Sequence, residues 1–135
     1  MALKFSVAMR NDLLSAITAR ISATAQLKMF EGAAPANITD PDSGTVIAVV
    51  EIPDTPFAAP VNGVMAKSGT WEDPAADNAG TLGHFRIYED GGTTVLMQGT
   101  ITATSGGGDM EVDNTIVAAG QTITINTLSL TAQNT

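Results

Sequence analysis

The order of apolar and polar residues changes character once along this chain. From Arg10 to about Ala23, "RNDLLSAITARISA", apolar positions recur at Leu13, Leu14, Ile17 and Ile21, the spacing of one face of an α-helix. Asn11 is a fitting N-cap and Asp12 a fitting first-turn acid, so a helix over about 12–23 is predicted. From residue 25 onward the period drops to two. "AQLKMF" sets Leu27 and Met29 against Lys28, and "TVIAVVEI" is a β-branched run that stops at Pro53. Between them "GAAPANITDPDSG" reads as a loop. "VNGVMAKSGTW" reads as a weaker strand containing a glycine, and 72–80 as polar and turn-like.

The firmest pattern is "TLGHFRIYEDGGTTVLMQGTITAT". It predicts a strand over about 82–89, a turn at Asp90-Gly91-Gly92 and a strand over about 93–103. "DMEV" places Met110 and Val112 on one face. "QTITINTLSLTA" sets Ile123 and Ile125 against Thr122 and Thr124, and then Leu128 against Leu130. One helix followed by seven or eight short strands predicts a mainly β, single-domain protein over residues 1–135. The expected form is an antiparallel β-sandwich or jelly roll over about 25–132 with one N-terminal α-helix.

Charge refines this picture. Net charge is −8, but residues 1–30 hold Lys4, Arg10, Arg20 and Lys28 against Asp12 alone, while the rest holds Lys67 and Arg86 against thirteen acids. An acidic body repels phosphates, so no nucleic-acid partner is expected. The basic N-terminal segment suits an acidic protein partner. Charged residues make up only 15% of the chain, so Thr, Ser, Asn, Gly and Ala must form much of the surface. That composition fits either packing against neighbours or a plain Thr-rich β domain. With no cysteine there is neither a disulfide nor a thiolate metal site. The opening residues hold no apolar run long enough for a signal peptide or membrane span, so a soluble protein folded in the cytoplasm, with no membrane partner, is expected.

Candidate chemistry is sparse. His84 is the single histidine, and alternation puts His84, Arg86 and Tyr88 on one face of a strand and Phe85 and Ile87 on the other. That face reads as a reactive polar strip or as a solvent- or partner-facing surface; the second is favoured, since no G-x-S-x-G or H-E-x-x-H accompanies it. The acid pairs "DPD", "WED" and "YED" suggest glycosidase carboxylates, yet six aromatics are few for a sugar cleft. Trp71 reads as a core or sheet-edge plug rather than a sugar platform.

"SGGGDMEVDN" places Asp109, Glu111 and Asp113 at calcium-loop spacing. Asn114 stands where a loop glycine is needed, and Gly120 where the bidentate acid belongs. A phosphate loop would need a following lysine, and no base follows Arg86. A turn feeding a short strand remains, with Met110 and Val112 inward and three carboxylates outward. No cofactor, no metal and no catalytic residue is expected.

Three stretches together resemble a family of small virion proteins of tailed bacteriophages. They are Asn11, Leu14, Ile17 and Ile21 followed by "AQLKMFEGAAP"; "ADNAGTLGHFRIYEDGG"; and "GGGDMEVDNTIVAAGQTITINTLSL". The likeness spans about residues 10–130 and is one of structural texture. It implies a non-enzymatic part of the virion: a head decoration (cement) protein, with the major capsid protein and its own copies, as a trimer, for partners. A neck or tail component is the alternative within that class; a carbohydrate-binding virion module or a small hydrolase lies outside it. Arg10, Arg20, Lys28, His84 and Arg86 are the candidate partner interface. Where the family often has an aromatic before Phe-Arg, this chain has His84.

Overall fold

The computed structural model describes residues 2–21, 24–89 and 92–133. Among them are one helix, α1 (Val7–Arg20), and nine strands. The strands are β1 (Gln26–Glu31), β2 (Val46–Glu51), β3 (Val64–Ala66), β4 (Glu72–Asp73), β5 (Gly80–Tyr88), β6 (Val95–Ala103), β7 (Met110–Val112), β8 (Ile116–Val117) and β9 (Ile123–Thr131). The protein is mainly β, and its strands make one curled, mixed sheet in the form of a half-barrel.

The hydrogen-bonded order is β2-β1-β5-β6-β7-β9-β3, with β4 on β9 and β8 on β5. All pairs but one are antiparallel. The exception is β6–β7, where Ile101 faces Met110 and Ala103 faces Val112 in parallel. Only residues 104–109 connect these two strands. Parallel neighbours usually need a far longer crossover. The return is tight enough that a Cβ on Gly106 or Gly108 would press on the Thr102 side chain.

The alternation seen in the sequence maps onto the core. Leu27, Met29, Ile47, Val50, Phe85 and Ile87 are buried on the β2-β1-β5 side. Met110, Val112, Ile123, Ile125 and Leu128 are buried on the β7-β9 side, and both sets belong to one apolar cluster. The phase change between Ile125 and Leu128 is a bulge: Glu111 pairs with Thr127 while Val112 pairs with Ile125. Trp71 is a core plug, wholly buried, edge-on to Phe57, with Nε1 donating to the Ser68 carbonyl.

Three details differ from expectation. The helix begins five residues earlier, because Ser6 is the N-cap and its Oγ accepts from the Met9 amide. Asn11 instead turns outward from the helix and accepts from the Gly63 amide. The helix ends at Arg20, and Ile21 is its C-cap; the expected end at Ala23 lies outside the described residues, as do Asp90 and Gly91 of the expected hairpin turn. The stretch 61–71 is a tight hairpin rather than one strand. Val61 and Val64 pair across Asn62-Gly63, both at positive φ, the pattern that favours Asn-Gly in two-residue turns. The turn-like segment 72–80 contains β4, in which Asp73 is buried and accepts from the Val49 and Ala75 amides.

α1 lies lightly on this body. Leu14 is its one buried residue, and Val7, Met9 and Leu13 remain exposed. No described helix is long and apolar enough to cross a membrane.

Candidate functional site

The strip His84–Arg86–Tyr88 sits at the middle of β5, flanked by β1 and β6. Alternation is obeyed, but the face assigned to solvent or a partner is covered. His84, Arg86 and Tyr88 are each 2% exposed or less. The cover is the β1–β2 connection, residues 32–44, which folds back over the strip instead of projecting from the sheet edge.

Backbone geometry permits the close approach. Phe30 pairs with His84 and Glu31 with Leu82, so the register slips at Gly83. A Cβ at Gly83 would collide with the Gly32 carbonyl. That same carbonyl lies 2.8 Å from His84 Nδ1, and the imidazole stacks on Phe30 with centroids 4.8 Å apart. Nδ1–H therefore donates to Gly32, and Nε2 is buried with no hydrogen-bond partner among the described residues.

Arg86 is the hub. Its Nε and one terminal nitrogen donate to Gln98 Oε1 at 3.1 and 2.9 Å. The remaining bonds go to the Asp40 carbonyl at 2.9 Å, the Asn37 carbonyl at 3.4 Å and the Asp42 carboxylate at 2.9 Å. All five guanidinium N–H groups are thus engaged. Gln98 completes the clamp by donating to the Pro35 carbonyl at 2.9 Å. Tyr88 donates to the same Asp42 oxygen in a short bond. Lys28 Nζ lies 4.4 Å above the Tyr88 ring and donates to the Gly92 carbonyl. Burial, and then the Asp42 carboxylate beside it, push the Tyr88 phenol well above its ordinary range.

Beside this hub is a cleft of about 520 Å³, walled by Thr39, Pro41, Asp42, Thr93, Thr94 and Val95. Its chemistry is limited. No N–H of Arg86 is left for an anion, and burial and then Asp42 raise the Tyr88 phenol, which disfavours the phenolate. Among the described residues His84 has neither carboxylate nor hydroxyl for a partner. No group of three or more metal-ligating side chains occurs among the described residues. What the arrangement does is pin residues 32–44 to β5 and β6.

The other cations read as interface are placed unequally. Arg10 is partly buried over Gly63 and reaches the Ala132 carbonyl at 3.4 Å. Lys28 is engaged at Tyr88 as above. Arg20 pairs with Glu89 at 3.0 Å and keeps 66% of its side chain exposed. The structure brings Lys28, His84 and Arg86 together on adjacent strands and leaves Arg10 and Arg20 on the helix.

The carboxylates of "DMEVD" do face outward, but they are occupied. Asp109 accepts from the Thr100 amide and hydroxyl, both at 2.8 Å, and these bonds hold its carboxyl below the ordinary value. Glu111 accepts from Gly107 and Thr127, and Asp113 from the Thr124 amide. Asp109 and Glu111 fasten the 104–109 return, and Asp113 ties the chain just after β7 to β9. Asp42 and Gln98 are hub residues that sequence reading missed. The one signal for Gln98 was its place opposite Arg86 in the predicted hairpin.

Comparison of the chain with protein-family models, with curated proteins and with solved structures finds no match in any of the three.

Proposed function

We propose that this protein is a non-enzymatic structural component of a tailed-phage virion, a decoration protein bound to the outside of the head shell. Its partners are the major capsid protein and further copies of itself, as a trimer. The virion part of the reading rests on the residue patterns of residues 10–130 that resemble small phage structural proteins. The assembly part is carried by one observation: Leu3, Phe5, Val7, Met9 and Leu13 are exposed on the basic N-terminal segment, while the polar hub of the body is bonded internally. Five large apolar side chains exposed along one eleven-residue stretch favour an interaction site. Small contacts repeated over many shell subunits add up through multivalency.

We read the curled sheet as a variant of the antiparallel sandwich or jelly roll, because side chains from its two ends share one core. Of the cations first read as shell-facing, Arg20 is the one most exposed, and Lys4, ahead of the helix, is exposed as well. Reversing both charges is expected to lower particle occupancy at unchanged fold.

Copy number per virion tests the whole reading. A number matching that of the shell subunit supports decoration, and the copy number of a single ring supports a neck or tail part. Absence from the particle overturns both. The sugar-binding alternative depended on an exposed Trp71, and that ring is buried.

A further inference from the structure

The hairpin turn between Val61 and Val64 carries Asn-Gly, a pair that occurs once in the chain. In such a pair the backbone nitrogen of the glycine has an open path to the preceding side chain, because no Cβ hinders the approach. Asn62 is exposed, so its carboxamide meets water. Gly63 is buried, and the Arg10 guanidinium lies over it: a Cβ there would stand 2.5 Å from Nη1. The Gly63 N–H donates to Asn11 Oδ1 at 2.8 Å, and the Gly63 carbonyl accepts from the Ala132 amide at 2.9 Å. Arg10 and Asn11 both belong to α1.

Ring closure at this pair needs the Gly63 nitrogen to lose its proton to base and then turn toward Asn62 Cγ. With α1 docked, Asn11 holds that proton and Arg10 covers the glycine, so both steps are blocked. The block is only as firm as the helix. Leu14 is the one buried residue of α1, so the helix leaves the sheet by a local opening rather than by global unfolding.

We propose that Asn62 is a self-modification site and that α1 is its gate. When the helix lifts, the Gly63 amide gives its proton to hydroxide and its nitrogen bonds to Asn62 Cγ. The Cγ–Nδ2 bond breaks, and Nδ2 takes a proton from water and leaves as ammonia. Water then opens the resulting succinimide ring at either carbonyl, leaving aspartate or isoaspartate at position 62. Water is the only co-reactant. Either product adds a negative charge close to the Arg10 guanidinium. Isoaspartate also lengthens the main chain inside the turn, where Val61 and Val64 bond each other at 2.9 and 3.0 Å. Losing those bonds loosens β3 from β9, beginning at Val64–Thr131. The change is one-way, so it records how often the helix has left the sheet. It goes beyond the proposed function and does not depend on it.

The test incubates the purified full-length chain at mildly alkaline pH, well below its melting temperature, and follows deamidation of Asn62 by peptide mass mapping. Asp90-Gly91 isomerises without a mass change, so the mass gain reports asparagine alone. Asn11→Ala is expected to raise the rate about fivefold, the factor carried by one ordinary hydrogen bond. Asn11→Asp keeps an oxygen for the Gly63 N–H and is expected to stay near the wild-type rate. Leu14→Ala loosens the helix without touching the turn and is expected to raise the rate as well. In the wild type, the Gly63 amide is expected to exchange hydrogen with the same protection as the α1 amides. Three results overturn the proposal. One is an Asn11→Ala rate equal to wild type, and another is an Asn11→Asp rate as fast as Asn11→Ala. The third, which needs no variant, is a folded wild type that deamidates at Asn62 as fast as the urea-unfolded chain.

Discussion

Arg86 is an always-charged side chain removed almost wholly from water, and its environment replaces each lost hydration contact with a named acceptor. Removing it would strand the carbonyls of Asn37 and Asp40, the Gln98 amide oxygen and the Asp42 carboxylate. Arg86→Met is expected to destabilise the fold by about 3 kcal/mol in denaturant melts, the low end for breaking a buried pair because Asp42 stays partly hydrated. Tyr88 offers a cleaner readout, being the one tyrosine in the chain. The folded state keeps the phenolic proton above the ordinary value of 10.0, whereas the unfolded chain releases it there. Stability is therefore expected to fall as pH rises above about 10, with tyrosinate absorbance appearing only on unfolding. Tyr88→Phe removes that alkaline dependence. Sequence made the strip itself legible through the alternation of β5. Its burial was not legible, because the cover is a Pro- and Asp-rich loop whose path depends on acceptors forty or more positions away from Arg86.

At the level of elements, strand phase was easy to read and chain reversals were not. The bulge between Ile125 and Leu128 went unread in the alternation of that strand. The helix start was misplaced because Val7 and Met9 are exposed, so the first turn carries no apolar period and only the Ser6 cap marks it. The Asn62-Gly63 turn carried a strong signal that the short flanking strands obscured. The β6–β7 return shows how a local motif can serve topology. Asp109 holds it through Thr100, and it ionises more readily folded than unfolded. That contribution is complete at neutral pH, starts to fade near the ordinary value of 3.8, and is gone below the depressed folded value. Protection of the Thr100 amide, its exchange rate relative to the intrinsic rate at each pH, is expected to fall over that acid range, and Asp109→Asn to show the lower protection already at neutral pH.

For the molecule as a whole, the division between helix and sheet sets the distribution of stability. In the sheet centre β1 and β5 have side chains buried on both faces, while α1 buries Leu14 alone. Hydrogen exchange is expected to separate them: amides of α1 open locally, and those of β1 and β5 only with global unfolding. Matching protection factors across both would contradict this. The mainly β character with one helix was legible because period and composition change together near residue 25. The curl of the sheet and its one parallel pair were not, since pairing partners are set by long-range packing that no local pattern encodes.

The position of β9 has a consequence for how the chain is made. It is paired with β3, β4 and β7, three strands that all precede it in sequence. Until residue 131 has left the ribosome, those three keep unpaired edges and half of the shared core lacks its last wall. The β2-β1-β5-β6 portion can form earlier, since its partners are complete by residue 103. Synthesis thus divides folding into an early half and a half that waits. In the interval the nascent chain exposes strand edges of the kind that recruit other chains, which is when protection by chaperones matters most.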